Sequence, residues 1–310
     1  MKFINPSYKV NEDRNIFTLR KSEYETIEPI VRDMLKPAEE LGFTLIDFGI
    51  REPKFSSGEL YRTLKKNFVI KLQKNGSEID LSMLIPKLID NNYMVIGGRK
   101  KIPIYQLFDI PFVTRGKTIK MRTNVASLMV FEEKEFPYVY ISIFGKKVPL
   151  VLVMFSYYGY EKIGEMFNKF SDVNFTEDQI KQRPIFDKLL YDLKDYYTTS
   201  SDYTQEDFIK ETGKYFSNYD FKIKGEDLVY GLDLILKTDL MSAKFFQTES
   251  VLGDLLEVIR INEIDDTDFI NKRVRCFEYV ILGKISKAIF DLCMANRTSR
   301  QVKFSINSSQ

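Results

Sequence analysis

Apolar and polar positions follow two rhythms along this chain. Between Phe43 and Leu107 the pattern is mostly that of strands, alternating or briefly apolar between turn residues. Phe43-Thr44-Leu45-Ile46, Phe68 to Leu72 and Ile79 to Leu84 are the strands predicted there, with Lys74-Asn75-Gly76 as a turn. Val113 to Gly116 reads as a connector, and a second β-rich block follows with Ser127 to Phe131, Tyr138 to Phe144 and Leu150 to Phe155. Ahead of the strands, residues 22 to 41 carry one apolar helical face (Tyr24, Ile27, Val31, Met34, Ala38, Leu41) behind a Ser22-Glu23-Tyr24-Glu25 capping pattern. Gly42 supplies the stop, and Pro37 is expected to kink or break the helix. After Tyr160 the period lengthens to that of helices. Thr176-Glu177-Asp178-Gln179 is a second capping box, and helices are predicted near 185–197, 204–216 and 249–260. The most periodic helix is the last, about Asn271 to Met294, whose apolar face is Val274, Phe277, Ile281, Ile285, Ala288, Ile289 and Leu292. The pattern as a whole predicts an α+β chain in two domains, with mixed antiparallel sheets and packed helices.

Residues 85 to 107 are the most specific stretch. A short apolar strand turns at Asp90-Asn91-Asn92 and returns as Tyr93 to Ile96. Gly97-Gly98 then bends tightly into Arg99-Lys100-Lys101, and Ile102, Ile104 and Leu107 alternate behind it. The glycines do not form a P-loop or a dinucleotide fingerprint, so a hairpin bend with exposed cations is the structural account.

Composition narrows the chemistry. A chain of 310 residues with 44% hydrophobic and 29% charged residues is expected to fold as an ordinary soluble, cytoplasmic protein of two cores. It has no histidine, which removes imidazole acid–base catalysis, Ser-His and Cys-His pairs and His-containing zinc sites. Two cysteines, Cys276 and Cys293, would lie too far apart on one helix for a disulfide. Net charge is +2, but unevenly spread: Val95 to Arg122 holds seven Lys/Arg against one acid, and Asn271 to Gln310 eight against two. Between them, Ser171 to Leu236 holds fourteen Asp/Glu and eight Lys/Arg. Two basic segments brought onto one face would bind a polyanion.

Glu263, Asp265, Asp266 and Asp268 are the most catalytic-looking group, since spaced carboxylates can hold Mg²⁺ for a nucleotidyl- or glycosyltransferase. The competing account is that Asp268 caps the final helix and Asp265 and Asp266 favour its positive end. Tyr157, Tyr158 and Tyr160 could stack on bases, though such spacing more often serves packing. A free-standing DNA-binding scaffold is the remaining alternative.

Three ordered blocks resemble the β subunit of multisubunit DNA-directed RNA polymerases. The first is the hairpin, continuous from Met94 to Leu107. The second is Val139 to Phe167, with Lys147-Val148-Pro149 and Gly159-Tyr160 on matching positions. The third is Ile264 to Asn296, where Asp265, Asp266, Asp268, Asn271, Arg273 and Arg275 match after one deletion. The resemblance implies a protrusion over 1–114, a lobe over 115–263 and a return to the protrusion over 264–310. It also implies that this is an N-terminal β fragment, as in the split polymerases of giant bacteriophages, acting in the host cytoplasm if phage-encoded. The implied partners are the C-terminal β fragment, β′ polypeptides, DNA and a promoter-specificity factor. No catalytic residue and no metal site is implied on this chain, because the Mg²⁺-binding aspartates belong to β′. The implied DNA contacts are Arg99, Lys100, Lys101, Asp268, Lys272, Arg273 and Arg275. The chain departs from the family where lysine replaces arginine at Lys272, where Asp109 replaces an arginine and where Ser127 replaces a tryptophan, so non-specific backbone contact fits better than a base pocket.

Overall fold

The computed structural model describes residues 27–52, 64–89, 93–104, 106–109, 112–132, 137–171, 184–216, 224–238, 250–261, 272–275 and 277–297. Helices and antiparallel sheets both contribute, giving an α+β fold. The chain divides into two compact units. Unit 1 comprises 1–106, 274–289 and 303–310; unit 2 comprises 107–273 and 290–302. The sequence reading placed the crossings at 114/115 and 263/264 instead, and kept all of 264–310 in the first domain.

The first described element of unit 1 is α1 (Ile27–Glu40), which buries Ile27, Val31, Met34, Leu35 and Ala38, the face expected from the sequence. The helix is not broken at Pro37. Its ring is buried only three residues from the helix end, so one missing hydrogen bond is offset by packing. Pro29 sits in the first turn, where backbone N–H groups have no helical acceptor in any case. At the other end, Lys74 Nζ donates to the carbonyl of Leu41 at 2.5 Å, and Gly42 adopts a φ of 86°. The Ser22 to Glu25 capping pattern lies outside the described residues.

Strands β1 (Thr44–Arg51), β2 (Lys65–Lys74) and β3 (Ser77–Asp80) follow in that order in one sheet, and β4 (Met83–Pro86) also pairs with β2. Asn75 and Gly76, both at positive φ, close the β2–β3 hairpin at the predicted turn. Strand β1 is an edge, and α1 guards part of it: Glu28 Oε1 accepts a hydrogen bond from the Ile50 N–H at 3.1 Å. A second, three-stranded sheet contains β5 (Leu88–Ile89), β6 (Tyr93–Ile96) and β7 (Arg99–Lys101). Residues 90–92, the expected turn between the first two, lie outside the described residues.

In unit 2, β9 (Phe112–Arg115), β10 (Thr118–Arg122), β11 (Ser127–Glu132), β12 (Val139–Ile143) and β13 (Lys146–Pro149) form a sheet in simple sequential order. The stretch expected to be a connector, Val113 to Gly116, is therefore mostly strand: Val113 and Thr114 pair with Lys120 and Ile119. Its alternation was too short to stand out without that partner. A separate two-stranded pairing joins β8 (Gln106–Asp109) to β14 (Lys272–Arg275).

The larger correction concerns Leu150 to Phe155, which was expected to be a strand. It is the start of α2 (Leu150–Ser171), and all six side chains are at most 1% exposed. A continuous apolar run satisfies a buried strand and a helix buried all round equally well. Pro149 at the end of β13 marks where one becomes the other. Helix α2 is interrupted at Gly159, whose φ of 78° and ψ of 167° are open only to glycine. Further described helices of unit 2 are α3 (Pro184–Thr199), α4 (Gln205–Lys214), α5 (Gly225–Thr238) and α6 (Val251–Ile261). Three of these match the predicted positions; α5 was not foreseen. The Thr176 capping box lies outside the described residues, but Thr204 forms a capping box with Asp207 at the start of α4.

The last helix, α7 (Phe277–Arg297), is shorter at its start than the sequence suggested, because Lys272 to Arg275 are strand. Pairing with β8 outcompetes helical periodicity over those four residues. Its buried face includes Ile281, Ile285, Ile289 and Leu292 as expected, with Phe290 and Cys293 added. Among the described residues, no helix is long and apolar enough to cross a membrane.

Candidate nucleic-acid interface

The cations of the hairpin owe their position to two glycines. Gly97 (φ 59°) and Gly98 (φ 75°) are the central pair of a two-residue turn that needs positive φ at both positions. The turn sets the register: Ile96 faces Arg99, Val95 faces Lys100 and Met94 faces Lys101. Arg99, Lys100 and Lys101 are thus strand residues, all exposed, rather than a loop tip. Alternation along a strand divides them between two faces. Arg99 and Lys101 share a face with Ile96, while Lys100 shares the other with Tyr93 and Val95. The Lys100 Nζ lies 4.7 Å from the Tyr93 ring centre, so its charge is held against its own sheet.

The second basic segment is less fully defined. Lys272 is half-buried in β14, and Arg273 and Arg275 belong to the same strand. Asp268 lies outside the described residues, as do Asp265 and Asp266. Unit 1 contains Arg99, Lys100, Lys101 and Arg275, whereas Lys272 and Arg273 fall in unit 2. On the part of α7 that belongs to unit 1, Lys284 and Lys287 are exposed one turn apart. Among the described residues, no cluster of three acids or cysteines is placed to hold a metal ion.

The tyrosines are committed to the protein itself. Tyr157 donates to Asp233 Oδ1 at 2.5 Å, and burial, then this bond, pushes its phenol well above the usual range. Tyr158 and Ser250 share a hydroxyl hydrogen bond at 3.0 Å. Tyr160 stacks on Tyr197 with ring centres 4.3 Å apart and donates to its carbonyl at 2.7 Å. Gly164 makes room for that ring: a Cβ there would stand 2.6 Å from the Tyr197 hydroxyl.

Sequence reasoning overlooked one ionisable group, Asp192 on α3. It is 1% exposed, and its Oδ2 accepts from the Val139 N–H at 2.7 Å. Its Oδ1 has no hydrogen-bond partner in the structure. Burial pushes the carboxyl up to about 6, against the Val139 bond and the Lys188 charge. An aspartate on an otherwise ordinary amphipathic helix carries no sequence signal of this kind. The exposure of Ile102 (65%) and Ile104 (68%) was likewise hidden, because alternating apolar residues normally mark a covered face.

No protein-family model matches the chain, and no curated protein matches it.

Proposed function

We propose that this chain is an N-terminal β-subunit fragment of a multisubunit DNA-directed RNA polymerase. It forms part of the DNA cleft and assembles with the remaining β and β′ polypeptides, and the catalytic centre with its Mg²⁺ lies on those companions. The observation that carries the reading is the order of three motif blocks, at Met94 to Leu107, Val139 to Phe167 and Ile264 to Asn296. The interleaved organisation is compatible with it, since residues 274–289 join 1–106 in one unit after an excursion through the other. Exposed cations at Lys284 and Lys287 give that unit charge to meet a polyanion. Work by the chain would then consist of holding neighbouring polypeptides and DNA phosphates, not of making or breaking bonds.

Native pull-down of the tagged chain followed by mass spectrometry tests the proposal. Several large companions at equal stoichiometry, with templated RNA synthesis in the eluate and none from the purified chain, are expected. Recovery of the chain alone, or nucleotidyl transfer by the chain alone, would overturn it. The second outcome would favour the Mg²⁺-dependent transferase, which Asp266→Asn would then disable.

A further inference from the structure

The hairpin at Arg99–Lys101 has a chemistry that suits a peptide better than a phosphate backbone. With a two-residue turn, Ile96 and Arg99 exchange both backbone hydrogen bonds, and so do Met94 and Lys101. The backbone groups of Lys100 must then point away from β6, off the edge of the sheet, where β7 is the terminal strand among the described residues. The same alternation is visible on β6, where the outward carbonyl of Val95 accepts from the Leu64 N–H at 3.1 Å. Beyond Lys101, Pro103 occupies the position of the next inward donor and has none, so pairing with β6 stops while the chain remains extended in sequence pattern. Ile102 and Ile104, at 65% and 68% exposure, flank that proline.

We infer that the β7 edge is a strand-addition site for a companion polypeptide: an extended segment alternating acidic and apolar side chains. The Lys100 N–H and C=O would pair with its backbone. Its carboxylates would meet Arg99 and Lys101, and its apolar residues would cover Ile102 and Ile104. A nucleic-acid backbone answers only part of this surface, because phosphates supply no donor for the Lys100 carbonyl and no cover for two isoleucines. The identity of the companion rests on the polymerase reading; the edge and its chemistry do not.

The test uses the full chain and a short, capped, fluorescently labelled peptide of alternating valine and glutamate, read by anisotropy. Binding is expected, and Lys100→Pro, which deletes the outward donor, should weaken it about tenfold or more. Lys100→Gln, which keeps the donor and removes the charge, should cost less. Ile102→Glu with Ile104→Glu leaves the hairpin backbone intact and should also abolish binding, which guards against a folding defect in the proline variant. Absence of peptide binding, binding indifferent to Lys100→Pro and to the isoleucine pair, or displacement of the peptide by a short DNA strand would each overturn the inference. Peptide binding without polymerase companions in the pull-down would sink the proposed function and leave this site standing.

Discussion

Asp192 Oδ2 takes the backbone N–H of Val139 at 2.7 Å, tying α3 to the first residue of β12 across 53 positions of sequence. The carboxyl is raised from 3.8 to about 6 by burial, so the folded state prefers it protonated. The stabilisation from that proton is complete below pH ~4 and is lost as pH rises through about 6. Asp192→Asn keeps an oxygen for Val139 and has no charge to bury. Thermal melts from pH 4 to pH 7.5 should show the native chain losing stability relative to this variant over that window. Parallel curves for the two proteins would mean that Asp192 is ionised throughout.

Helix α2 is broken at Gly159 and sealed by a side chain from α4. Gln205 Nε2 donates to the carbonyls of Ser156 at 3.0 Å and Tyr157 at 3.3 Å, in the turn just before the break. A Cβ at position 159 would meet Gln205 Oε1 at 3.4 Å on top of its forbidden backbone angles. Gly159→Ala is expected to cost about 1–3 kcal/mol, and Gln205→Ala a similar amount through loss of these two hydrogen bonds. Urea unfolding of both single variants and the double would show less than additive loss, because both act on one seal.

Helices α4 and α5 approach through glycine. A Cβ on Gly225 would lie 1.8 Å from the carbonyl oxygen of Ile209, a backbone atom that can move only with its helix. Gly225→Ala should therefore destabilise the chain by about 3 kcal/mol or more. Gly231→Ala is the natural comparison, since its Cβ would meet only side-chain atoms, the Phe144 ring at 3.0 Å and the Met294 methyl at 3.4 Å, which can swing aside. A smaller shift in urea midpoint is expected for it.

If the proposed polymerase assembly forms, replacing Lys272, Arg273 and Arg275 by glutamine should flatten the salt dependence of its promoter-complex stability. Every phosphate that a cation no longer neutralises lowers the slope of log K against log[salt] by ~0.9. The deficit is then largest at low salt and narrows as salt rises. A constant deficit at every salt concentration would assign the three residues to structure alone.

The parts of this fold that were legible in sequence are those where one period dominates. Ile27 to Ala38 shows a single helical face, and Asn75-Gly76 a turn with one geometry; both appear where expected. Leu150 to Phe155 was misread because a side chain buried on every side leaves no period to detect. Lys272 to Arg275 was misread for a different reason: its strand partner, Gln106 to Asp109, lies more than half the chain away and has no signal of its own. The hairpin cations were found by composition, but their division between two faces followed only from the register that Gly97 and Gly98 impose.

The interleaving of the two units also sets an order on the ribosome. Met34 is fully buried in unit 1, and Ser286 Oγ lies 3.7 Å from its sulfur, although 252 residues separate them. All of 107–273 must emerge before that neighbour exists. Unit 2 has most of its elements in hand by then and can close first, while Met34 still lacks one of the neighbours that finally cover it. The core of unit 1 is thus completed by the last of the described helices, long after the first of them is made.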